Sequence, residues 1–155
     1  MYHFFRIFAV AVVVVIAFIS CKKKPEATPP DLPITYANIS GIWELKTWKG
    51  TSLPKDSWCY IEFSRGDHTF VMHQNIDSMY DRVLTGTYTI TRDEYENYII
   101  KGTYDWGKGA WANSYYVTDM LYDGSSMKWT STNDDSDVSI YARIEEMPKF
   151  EVYTN

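Results

Sequence analysis

The sequence predicts an all-β domain, an eight-stranded antiparallel up-and-down β-barrel, and three observations lead there. Beyond residue 34, Val, Ile, Thr, Tyr and Trp recur in short runs, the composition that suits a pleated strand. Turn-forming clusters such as Ser64-Arg65-Gly66-Asp67 and Tyr122-Asp123-Gly124-Ser125 separate the runs, and no window carries a 3.6-residue apolar stripe. Within runs, side chains alternate. Leu84, Gly86, Tyr88 and Ile90 fall on one face, and Thr85, Thr87, Thr89 and Thr91 on the other. Eight such strands on short loops can close as a barrel or stack as a sandwich. Closure removes the exposed edges that invite pairing between chains, so the barrel is the expectation.

The elements follow in chain order. Seventeen of the first twenty residues are apolar, so the 45% hydrophobic average of the 155-residue chain overstates the rest. His3 and Arg6 precede residues 7–19 (IFAVAVVVVIAFI), a run without a polar side chain. As a helix that run spans about 20 Å, short of the roughly 30 Å hydrocarbon core of a bilayer. A secretory signal peptide over 1–20 is expected, rather than a retained anchor. Residues 22–33 (KKKPEATPPDLP) hold four of the six prolines and read as a semi-extended tether. The domain is expected over 34–155, a length that suits one core.

Its strands are expected at 41–48, 57–63, 68–74, 83–91, 95–103, 114–121, 127–131 and 138–145, with a short helix at 78–82. The last strand sorts Val138, Ile140, Ala142 and Ile144 against Ser139, Tyr141, Arg143 and Glu145, so the first set is the expected core face. Inward positions are expected at Trp43, Leu45, Phe70, Met72, Tyr88, Ile90 and Trp129. Cys59 lies in an apolar strand and reads as a buried, inert thiol.

Two resemblances add to this reading. Phe18-Ile19-Ser20-Cys21 resembles a bacterial lipobox, with Phe18 where the pattern favours Leu. The resemblance implies that Cys21 is lipidated and becomes the mature N-terminus, its acyl chains anchoring the protein to a membrane. Lys22 does not resemble the Asp that retains lipoproteins in inner membranes, which implies an outer-membrane lipoprotein. The periplasmic face is expected, with surface display as the alternative.

Gly41-Ile42-Trp43 resembles the G-x-W motif of lipocalins. IEF-SRGDHTF and LTGTYTI are similar to the strand, turn and strand run of bacterial lipocalin-like lipoproteins. The resemblance spans residues 39–146. It implies that Trp43 packs near a closed barrel end beneath Arg143, a cation–π contact of about 0.5–2 kcal/mol.

Candidate chemistry is sparse. His68 and His73, five residues apart on a strand, face opposite ways and cannot share one metal ion without a bend in the strand. No CxxC or HExxH pattern exists, so no metal site or cofactor is expected. Residues 102–108 read GxxxxGK, but Gly109 follows where a phosphate loop needs Ser or Thr, and residues 105–113 read as a loop. Asn133-Asp134-Asp135-Ser136-Asp137 lacks the EF-hand glycine and reads as a solvated hairpin turn rather than a calcium site. Asp77-Ser78-Met79 resembles an O-glycosylation sequon of some anaerobic Gram-negative bacteria. No nucleophile signature appears, so the protein is not expected to be an enzyme. The formal charge of −5 gives no electrostatic support for nucleic-acid binding.

The expected function is binding of a small apolar or amphipathic ligand in the barrel, using Tyr88, Phe70, Met72 and Trp129, with Trp106 and Trp111 on the rim. The alternative is a glycan- or protein-interaction module that uses Trp106, Trp111, Tyr115 and Tyr116.

Overall fold

The computed structural model describes residues 31–76, 78, 80–107 and 109–150. The leader, Cys21, most of the tether, Asp77, Met79 and Lys108 lie outside the described residues.

Nine strands follow one another: β1 (Gly41–Trp48), β2 (Thr51–Ser52), β3 (Cys59–Phe63), β4 (Thr69–Gln74), β5 (Arg82–Arg92), β6 (Tyr98–Tyr104), β7 (Tyr115–Thr118), β8 (Ser126–Ser131) and β9 (Val138–Ile144). In the spatial order β2-β1-β3-β4-β5-β6-β7-β8-β9 each strand pairs antiparallel with the next, and β9 returns to pair with β1. The result is a closed eight-strand up-and-down barrel of β1 and β3 to β9, with β2 folded back on β1 as an extra strand. Closure leaves the eight staves without a free edge along the sheet.

One end is shut. A single helical turn, α1 (Tyr36–Ile39), precedes β1, and the Thr35 side chain caps it by accepting from the Asn38 amide. Ile39 is fully buried there, and its carbonyl accepts the indole N–H of Trp43 at 2.7 Å. Before the helix, the Leu32 amide donates to the Met120 carbonyl at 3.0 Å, so the chain joins the fold slightly ahead of residue 34. Phe63, Tyr88 and Met127 fill the barrel above this plug.

Local chemistry explains where elements depart from expectation. β6 begins three residues later than 95 because the Asp93 carboxylate takes the amides of Tyr95 and Asn97 and holds a turn there. β7 stops at Thr118, since Asp119 has φ of 50° and turns Met120 into the core. The expected helix at 78–82 is not formed by its described residues: Tyr80 and Asp81 are irregular and Arg82 opens β5.

The facing of β9 is a correction. Ser139 and Tyr141 are buried, whereas Ile140 is 39% exposed, so the polar-looking set faces inward. Pairing with β1 sets this register, placing Tyr141 opposite inward Leu45 and Arg143 opposite inward Trp43. By contrast β5 faces as the alternation predicts, with Gly86 and Tyr88 buried and the four threonines out.

Candidate functional site

The closed end and the open end have different chemistry. At the closed end the Arg143 guanidinium lies 4.2 Å from the centre of the Trp43 ring. It donates to the carbonyls of Asn38, Ser40 and Gly124, tying α1 and the β7–β8 turn to β9. Burial lowers the Arg143 pKa from its usual value. Gly41 has φ of +117°, and a Cβ there would sit 2.5 Å from the Arg143 Nη1 atom. Gly41, Trp43 and Arg143 are thus brought together as a plug, and none of the three lines the cavity at the other end.

At the opposite end the barrel holds a cavity of about 270 Å³. Trp129, Tyr141, Tyr115 and Trp111 wall it, Ile61 and Met72 lie among the lining residues, and Gln74 and Arg82 meet it from paired positions on β4 and β5. Trp129 and Tyr141 pack with ring centres 4.6 Å apart, and Tyr115 lies 5.5 Å from Trp129. A bulge between Leu45 and Thr47 shifts the alternation of β1, which sets Trp48 opposite Ser139 among the lining residues. The indole of Trp48 donates to the Asp137 carboxylate at 3.2 Å.

The cavity hydroxyls are neutral donors. Burial pushes the Tyr141 phenol well above its ordinary pKa. Burial and, behind it, the Asp137 charge raise Tyr115. Tyr104 is raised by burial and by Cys59, against an opposing pull from Arg82. Cys59, also lining the cavity, is pushed up to about 12 by burial and stays a thiol. The indole nitrogen of Trp111 is buried without a hydrogen-bond partner.

Of the six residues expected to bind the ligand, Met72, Trp111 and Trp129 line the cavity, as does Tyr115 of the alternative reading. Phe70 and Tyr88 are buried away from it. Phe70 packs edge-on against Trp111 at 5.1 Å, and the Tyr88 hydroxyl donates to the Ser64 carbonyl at 3.2 Å in the closed half. Trp106 is 92% exposed, while Trp111, expected beside it on the rim, is only 6% exposed. The reason is Gly102: an added Cβ would stand 2.1 Å from the Trp111 ring, so only glycine lets the indole lie on β6. The Trp111 amide bonds the Gly102 carbonyl at 2.8 Å and fixes the loop in place.

Sequence reasoning missed Tyr104, Tyr141 and Arg82. The bare Gly102 in a Tyr-rich strand, and the aromatic on the polar set of β9, were the signals available. Among the described residues, no group of three His, Cys, Asp or Glu side chains is placed to hold a metal ion. His68 instead stacks on Tyr36 at 3.7 Å, and His73 shares a hydrogen bond with Asp81 at 2.8 Å. Compared with family models, curated proteins and solved structures, the chain finds no match.

Proposed function

We propose that this chain is a lipid-anchored, lipocalin-like protein that holds a small apolar or amphipathic ligand in the open end of its barrel. The observation that carries the reading is the aromatic-walled cavity of about 270 Å³, at the small end of ligand-sized pockets. Its inward hydroxyls, with Gln74 and Arg82, set polar groups among aromatic and aliphatic walls, the usual chemistry of a binding pocket. Gly41, Trp43 and Arg143 sit together at the other end, where the lipocalin resemblance implies them. The protein acts by binding rather than by catalysis, at the outer membrane through acylated Cys21.

Native mass spectrometry of the purified protein incubated with lipid extract tests the pocket. An added mass of one small molecule, lost when Ser139→Leu fills the cavity, is expected; no adduct under any extract would overturn the reading. Metabolic labelling with an alkynyl fatty acid tests the anchor. Label that disappears in Cys21→Ala is expected, and an unlabelled wild-type protein found in the soluble fraction would contradict it.

A second reading keeps one observation of its own. Trp106 stands exposed beside a groove of about 350 Å³ lined with Val83, Leu84 and Tyr104, a surface on which a sugar ring could stack. Loss of glycan binding in Trp106→Ala would favour it over the cavity.

A further inference from the structure

Taking the cavity as the binding site, we propose that it selects compact amphipathic monoanions, with Arg82 as the residue that reads the charge. Arg82 is the sole charged side chain among the lining residues, and no carboxylate joins it there. It pairs with Gln74 across β4 and β5, on the same inward alternation as Met72 and Leu84. One guanidinium nitrogen donates to the Ile76 carbonyl at 3.0 Å, which fixes the group against the loop that follows β4. A guanidinium has five N–H donors, so further donors remain for an incoming anion.

The neighbouring carboxylate does not compete. Asp81 is engaged on the outer side of the barrel, where Oδ2 meets His73 Nδ1 at 2.8 Å and Oδ1 accepts from the Trp58 indole at 3.4 Å. Among the described residues no carboxylate forms an ion pair with Arg82. Asp137 stands behind the wall with its Oδ1 taken by the Trp48 indole at 3.2 Å, so the lining itself presents one positive charge and several neutral donors to whatever enters it. A ligand with an acidic head and an apolar body satisfies both ends.

Volume limits that body. A dry cavity of about 150 Å³ holds a benzene ring. On that scale the 270 Å³ found here takes a body of about ten carbons, as two fused rings or a short chain. An acyl chain of eighteen carbons is too long to be enclosed. The shared chemistry is a compact carboxylate, and the aromatic walls accept either a flat or a linear body.

The test is a titration of the full-length protein, followed by calorimetry, with decanoate, 2-naphthoate, decanol and octadecanoate. Decanoate or 2-naphthoate is expected to bind about tenfold or more tighter than decanol, the gain from one charge-assisted hydrogen bond. Octadecanoate should bind more weakly than the better of the two short acids. Arg82→Gln should cut the preference for the acid over decanol to near unity, with Arg82→Lys in between. Equal affinity for decanoate and decanol in the wild type, or acids unaffected by Arg82→Gln, overturns the charge selection while the cavity still binds. Failure of all four ligands overturns the binding reading and this inference with it.

Discussion

Arg143 holds three backbone carbonyls and an indole face at once, which makes it the residue on which the closed end depends. Its planar fork cannot be copied by an ammonium, so Arg143→Lys should cost about 2 kcal/mol. Gly41→Ala should cost about 1–3 kcal/mol, because the new Cβ meets a strained φ and the Arg143 guanidinium together. Denaturant midpoints of the two variants check both values. Cys59 supplies a pH test. Burial disfavours the thiolate and pushes its thiol up to about 12 in the folded protein, from an ordinary value of 9.0. The folded state thus keeps a proton that the unfolded chain releases, and stability should fall as pH rises from about 9 to about 12. Tyr88, raised to about 12 by burial, adds a loss of the same sign from its ordinary value of 10.0 upward. Cys59→Ala should flatten only the thiol's share of that slope, and native Cys59 should resist a maleimide at pH 8. At this scale Trp43 and Arg143 were legible only through the lipocalin resemblance, because the alternation of β9 taken alone puts Arg143 on the outer face. Trp111 was not, since its burial depends on the absence of a side chain on a different strand.

Among the elements, β5 was legible from its threonines and β9 was not. Threonine alternating with Tyr and Ile leaves one choice of inner face, and β5 takes it. In β9 the apolar set looked like the core, yet closure against β1 decides the facing. Tyr141 and Arg143 have long apolar bodies that pack well once turned inward. The consequence is measurable by chemical denaturation. Ile140→Thr, on the outer face, should shift stability by less than about 0.5 kcal/mol. Tyr141→Ala, which removes a ring packed on Trp129, should cost about 3 kcal/mol. A bulge in β1 escaped sequence reading for the same reason: one unpaired residue changes which of Thr47 and Trp48 faces the mouth, and only the pairing partner reveals it. The helical turn α1 was hidden by its length of four residues, too short for any periodicity.

For the whole molecule, the barrel class was readable because it needs only strand count, short loops and alternation. The cavity was not, because its volume is the difference between a barrel's interior and the side chains that fill it. Filling is uneven here: Trp43, Phe63, Tyr88 and Met127 pack the closed half, while the walls of the open half stand back from one another. A ligand there should stabilise the fold by about 2.7 kcal/mol at a hundredfold excess over Kd, seen as a rise in Tm.

The most direct measurement is the set of indole N–H signals in a ¹H–¹⁵N spectrum during titration with decanoate. The six tryptophans of the chain report separate places: Trp48, Trp111 and Trp129 line the cavity, Trp43 sits in the plug, and Trp58 and Trp106 lie elsewhere. The account requires the first three to move together and saturably while Trp43 and Trp106 stay in place. Movement of Trp106 alone, or of no indole at all, would contradict it.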